Sequence, residues 1–238
     1  MQMDLAADLG RSTDEAVLEA ERSIWPLIST VAIPCAAHAG DPLSMLLACG
    51  EATSRGLSIG AAVGYRDASQ SGRFIDYARD ELAADLLFQL GGLDGLLSTE
   101  GRIGFVRPAG ALFEAVQTDR NHSWALVDAV LDFDPKLTVV GLAGSALLAT
   151  AARHGLRTAV EAQPWLGAAP SGGVGRLLTD PEVIVARALD IVNSGEADMV
   201  ALSARSTADL VAARAIREAF DAAGVTIAAH TASSPGAW

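Results

Sequence analysis

A chain of 238 residues, half of them hydrophobic and only 5% aromatic, can bury one large core, and that core must be built from Ala, Val, Leu and Ile. Seventeen basic against 29 acidic residues give a formal charge of −12, which argues against nucleic acid or an anionic membrane as partner. No apolar run reaches the ~20 residues that span a bilayer and no signal-peptide pattern opens the chain, so a cytoplasmic location is expected.

Met1 to Leu9 reads as a first strand that carries Asp4 and Asp8. Aspartates are poor strand formers, and four residues apart they point to one side. Asp8, followed closely by Gly10, is placed to reach the end of the strand, whereas Asp4 reads as a solvated strand end. Ser12-Thr-Asp-Glu15 offers a capping box for a helix through about Trp25. Val31 to Pro34 is a second strand, and a loop of small residues follows it, carrying His38 and Asp41 before Pro42 opens a helix to about Arg55. Asp before Pro is a strong helix start, so Asp41 has a capping role available beside any chemical one. His38 sits among alanines and a glycine, which leave room beside its ring.

Leu57 to Val63 is the third strand, and its glycine-rich exit bears Tyr65, Arg66 and Asp67, with Gly72-Arg73 in the same excursion. A helix over about 75–97 follows, with Asp80, Glu81 and Asp85 on its wet face. Strand four runs from Gly101 to Val106 and leaves through Arg107-Pro108-Ala109-Gly110. A helix over 119–133 and strand five (137–140) lead to Gly141-Leu-Ala-Gly-Ser145, a turn able to present N–H groups to an anion, though it has no Walker lysine. After strand six (157–161), residues 163–175 form a Pro/Gly/Ser-rich loop, expected to be mobile, in which Trp165 packs down. A helix to Asn193, strand seven (199–202), a helix over 207–223 and a last short strand (225–229) complete the pattern, with residues 230–238 as a flexible tail. Cys35 and Cys49 have no metal-type spacing, and no disulfide is expected of them.

Seven or eight strand–helix repeats without a linker demand a parallel sheet with right-handed crossovers. The expected fold is α/β, a closed (β/α) barrel of seven or eight parallel strands, a single domain over residues 1–229, with an open doubly wound sheet as the alternative. In the barrel, Asp8, His38, Asp41, Tyr65, Asp67 and Arg107 meet at the mouth formed by the carboxyl ends of the strands.

Six short motifs then fall in register. They are Asp4-Leu-x-x-Asp8-Leu-Gly10, Cys35-x-x-His38-Ala-Gly-Asp41, Gly60-Ala61 with Tyr65 and Asp67, Gln89-Leu-Gly, Pro108-x-Gly110-Ala-Leu112 and Gly141-Leu-Ala-Gly-Ser145. Together they resemble the LamB/YcsF family, also called the 5-oxoprolinase A-subunit family, from residue 3 to about residue 229. The resemblance implies a seven-stranded barrel related to polysaccharide deacetylases. It also implies ATP-dependent opening of 5-oxoproline to glutamate with partner subunits, while homo-oligomerisation is left open. On that basis His38 is the general base or acid, oriented by Asp8 or Asp41; Arg107 and Arg73 hold a carboxylate or phosphate, and Tyr65 and Asp67 also contact substrate.

The chain departs from the family pattern at Ala6, Arg11, Ala62, Val63, Phe105, Arg107, Ala109, Glu114 and Ser203-Ala-Arg205, several of which replace His, Lys or Asn. An Ala cannot shuttle a proton and an Arg cannot act as base, so the family reaction is expected to be impaired or altered. One His with carboxylates makes a poor transition-metal site, and no metal is predicted. The alternatives are a non-catalytic binding protein on the same barrel and an enzyme of the same fold with a changed small-molecule substrate.

Overall fold

The computed structural model describes residues 1–67, 72–97, 101–167, 175–204 and 206–230. Strands β1 (Gln2–Asp8), β2 (Thr30–Pro34), β3 (Ser58–Val63), β4 (Ile103–Pro108), β5 (Thr138–Gly141), β6 (Arg157–Ala162) and β7 (Met199–Leu202) pair in parallel in chain order. β1 pairs with both β2 and β7, which closes the ring. The eighth strand, β8 (Thr226–Ile227), is not inserted between β7 and β1. Its flanks donate to the carbonyls of Met1 and Met3, the same edge of β1 on which Leu5 accepts from Ser29 N–H. β8 thus continues β2's side of β1 below the ring.

Helices α1 (Glu15–Arg22), α2 (Pro42–Ser54), α3 (Arg79–Asp94), α4 (Gly110–Ala115), α5 (Arg120–Phe133), α6 (Ala146–Arg153), α7 (Pro181–Ser194) and α8 (Thr207–Ala222) connect the strands. Asp41 caps α2 as expected, in a capping box with Ser44, and Gly195 closes α7 in the left-handed region. The α1 start differs from expectation. Asp14 is the N-cap, accepting from Ala16 and Val17, while the Ser12 hydroxyl accepts from Asp14 N–H. α3 starts later than its apolar period predicts, because Tyr77 packs on Tyr65 outside the helix, beside Phe74. Asp85 is buried rather than wet, since Arg66 from the β3 exit pairs with it. β4 runs two residues further than predicted: Arg107 is in register with Ala62 and Pro108 with Val63, so Arg107 belongs to the strand and not to its exit loop.

Period-two alternation divides the core in two. Leu5, Val31, Ile33, Ala61, Val106, Val139 and Val200 face the helices, whereas Ala6, Ala32, Ala62, Phe105, Val140, Ala159 and Met199 fill the lumen. Four of those seven lumen residues are alanines, and the one phenyl ring takes up the space they leave. Phe105 lies in register with Gly60, and a Cβ on Gly60 would collide with its ring. The lumen is therefore a packed plug, and open space is left to the layer above it.

Candidate functional site

Two residues beyond the plug, the same alternation points Asp8, Arg107 and Glu161 inward over Ala6, Phe105 and Ala159. Arg107 donates from Nε and Nη2 to the two oxygens of Glu161, with Nη2 to Oε1 at 2.8 Å, and from Nη1 to both oxygens of Asp8 at 2.9 Å. Gln163 adds an Nε2 donor to Glu161 at 2.6 Å. Burial disfavours the guanidinium charge, but the two carboxylates overcome that and hold its proton more firmly than usual. One cation faces two anions, so the cluster carries no surplus positive charge. Glu161 is a member of the site that sequence reasoning does not single out. The available signal is an acidic residue two places after an inward alanine in a buried parallel strand.

Above this cluster opens a cavity of about 440 Å³ at the carboxyl ends of the strands. Asp8, His38, Tyr65, Asp67 and Arg107 all line it, so five of the seven anticipated site residues share one space. Arg11, Glu114, Phe113 and Trp165 line it too. Asp41 and Arg73 are not among the lining residues. Asp41 spends Oδ1 on the N–H groups of Leu43 and Ser44 and shapes the site through the loop it ends. The base of the 163–178 loop forms a short antiparallel pairing, with Leu166 opposite Leu177 and Trp165 accepting from Leu178, and this packs Trp165 against the mouth. Residues 168–174 of that loop and residues 231–238 of the expected tail lie outside the described residues.

The His38 ring rests against the backbone of Gly64, which has no room for a side chain, and of Gly110, whose φ of +56° favours glycine. A Cβ on Gly64 would lie 2.8 Å from its Nδ1, and one on Gly110 3.6 Å from its Cδ2. Gln89, buried on α3, fixes that seat by accepting from Gly64 N–H at 3.0 Å and donating to Gly64 O at 2.8 Å. This accounts physically for the Gln89-Leu-Gly motif, which the sequence left without a role. Tyr65 sits with its hydroxyl 2.6 Å from Nδ1 of the buried His122, and Phe74 stacks on that imidazole. Burial, and then the nearby Asp119, push the Tyr65 phenol well above its ordinary range, so it stays protonated.

At the other end of the barrel Asp4 is buried, contrary to the expected solvated strand end. It accepts from Ser29 Oγ at 2.7 Å, Thr30 Oγ1 at 2.9 Å and His230 N–H at 3.0 Å, which ties the start of β2 and the chain after β8 to β1. Burial raises its carboxyl above the ordinary value and these hydrogen bonds oppose the rise. The Gly141–Ser145 turn leads into α6, whose first donors are already spent. The N–H groups of Ser145, Ala146, Leu147 and Leu148 go to Leu142 O, Gln117 O, Val116 O and Ser145 Oγ. Cys35 and Cys49 are both free and buried; burial lifts the Cys49 thiol to about 11 and Cys35 further, so neither is a thiolate at neutral pH. Among the described residues no group of three or more His, Cys, Asp or Glu is arranged to hold a metal, and no helix is long and apolar enough to cross a membrane.

Comparison with known proteins agrees with this geometry. The LamB/YcsF family matches residues 3–234. The 5-oxoprolinase A-subunit of Mycobacterium leprae is 35% identical over 95% of this chain and 98% of its own. The crystal structure of a lactam utilization protein from Thermus thermophilus superposes with a TM-score of 0.88 at 33% identity, covering 96% of this chain and all of that one. The catalytic domain of a peptidoglycan N-acetylglucosamine deacetylase from Eubacterium rectale shares the fold, with a TM-score of 0.54 at 12% identity over 97% of this chain and 89% of that one.

Proposed function

Since the chain belongs to the LamB/YcsF family, we propose that it acts as a 5-oxoprolinase A-subunit, receiving a small cyclic amide in the mouth of its barrel. With partner subunits it takes part in the ATP-dependent opening of 5-oxoproline to glutamate. The observation that carries this reading is that Asp8 and His38, from different strand ends, line one cavity of a size suited to a small ligand.

Hydrolysis of a lactam needs a base for water and a proton for the departing nitrogen. His38 supplies both in turn, its ring held by Gly64 and Gly110. Asp8, fixed by Arg107, faces the imidazole's charge, Asp41 holds the loop, and Tyr65 and Asp67 border the ring of the substrate. The first N–H groups of α6, just past the glycine turn, are spent within the fold, and activation by ATP is assigned to the partner subunits. Among the described residues His38 is the one imidazole lining the cavity, and this favours, as a second reading, a binding subunit that does no chemistry of its own.

The test is ATP-dependent 5-oxoproline hydrolysis with and without partner subunits, comparing the parent with His38→Ala. Loss of about 10²-fold or more in the variant supports the enzyme. Absence of turnover in the parent with partner binding retained supports the binding subunit.

A further inference from the structure

Among the described residues two arginines line the cavity, and of these only one has hydrogen-bond donors to give. Arg107 is engaged by Asp8 and Glu161, and an anion brought to it would meet those two carboxylates first. Arg11 makes no side-chain hydrogen bond or ion pair among the described residues. Its backbone, by contrast, is held at both ends. Its N–H donates to Glu21 at 3.2 Å, beside Gly10 N–H at 2.9 Å on the same carboxylate, and its carbonyl accepts from Gly40 N–H at 3.0 Å. Glu21 is itself buried on α1, so a carboxylate has been taken out of water to brace this one turn. Gly10 needs its φ of +85° there, and a Cβ would lie 2.6 Å from that of Ala48. The result is a guanidinium projecting from a rigid point between the β1 exit and the His38 loop.

The rest of the lining completes the reading. Asp8, Asp67 and Glu114 set three carboxylates on the wall, while Trp165, Phe113 and Leu166 supply an apolar side. A ligand that is an apolar ring with one negative group therefore has a single orientation that avoids like-charge contact. Its ring lies along the aromatic side, and its anion points to Arg11.

We propose that Arg11 anchors the carboxylate of the cyclic amide, and so makes this chain selective for a carboxylate-bearing lactam over the same ring without it. The assignment rests on the lactam-binding reading above and names the residue that recognises the substrate. A planar guanidinium with five donors pairs with a carboxylate at two points, which an ammonium cannot do.

Titration calorimetry with 5-oxoproline and with 2-pyrrolidinone, the same ring lacking the carboxylate, separates the ideas. The parent is expected to bind 5-oxoproline the more tightly. Arg11→Ala is expected to weaken 5-oxoproline about tenfold or more while leaving 2-pyrrolidinone unchanged, with Arg11→Lys intermediate. Unchanged 5-oxoproline affinity in Arg11→Ala, or equal loss for both rings, overturns the role of Arg11 while lactam binding stands. If the parent binds neither ring, the lactam reading fails. Glutarate, a carboxylate without a ring, then decides the anchor by ligand-observed NMR: binding lost in Arg11→Ala supports it, and binding retained or never present overturns it. Thermal melts of each variant check that the fold is intact.

Discussion

Arg107 on β4 and Glu161 on β6 meet across the barrel in a two-point ion pair, with the Glu161 side chain fully buried and that of Arg107 only 8% exposed. Asp8 closes the cluster from β1. Two buried charges of opposite sign contribute little net stability, yet removing one strands the other in a medium that solvates it poorly.

Arg107→Met is therefore expected to destabilise the protein by about 3–5 kcal/mol, as read from urea unfolding. Arg107→Met with Glu161→Leu should recover most of that loss, because Glu161 no longer sits unpaired under the mouth. If the double variant is no better than the single one, the cluster is held by packing and not by charge.

At the seat of His38, Gly64→Ala places a methyl group 2.8 Å from Nδ1 and 3.2 Å from the Ala109 carbonyl. The imidazole must shift, so turnover or ligand affinity should fall about as far as in His38→Ala while the melting temperature changes little. Gln89→Leu should act on the same seat but also cost about 2–3 kcal/mol, because the buried N–H and C=O of Gly64 both lose their partner. Activity assays paired with thermal melts tell the two effects apart.

Inside the lumen, Gly60 makes room for Phe105. Gly60→Ala is expected to cost about 1–3 kcal/mol by overpacking. Phe105→Leu in the same chain should relieve part of that cost, and a double-mutant cycle measures the coupling. Additive effects would mean that ring and glycine are independent.

Asp4 gives a pH signature. Burial raises its folded carboxyl above the unfolded value, so its stabilising contribution is complete below the unfolded value and is lost as pH rises through the folded one. The parent's advantage over Asp4→Asn should thus be largest near about pH 4 and shrink toward neutrality. Urea midpoints of both proteins across that range check the sign, and an advantage that grows with pH would contradict it.

Much of the architecture is legible in the sequence because it is written in local periodicity. Ala32 and Ala159 alternate with branched residues along their strands, and Asp41-Pro42 and Gly195 mark helix ends by backbone rules that act within a turn. The departures fall where a distant partner overrides local preference. Asp85 has the pattern of a solvated helix residue, but Arg66 reaches it from another element, and Tyr77 is kept out of α3 by the Tyr65 ring. The Gly141–Ser145 turn has the composition of an anion site, and just past it the Ala146 and Leu147 N–H groups are claimed by Gln117 and Val116 across the fold.

By itself the sequence determined the order of strands and helices and their parallel alternation, with the closed barrel ahead of an open sheet, because a two-residue repeat and a helix cap need only near neighbours. Which side chains do what at the strand ends was decided by closure of the ring. Closure sets Arg107 against Glu161, 54 residues away, and Asp8, 99 residues away, and among the described residues it leaves the Arg11 donors unspent. Charge pairing is a property of distance in space, and a linear chain does not carry that distance until the last strand has met the first.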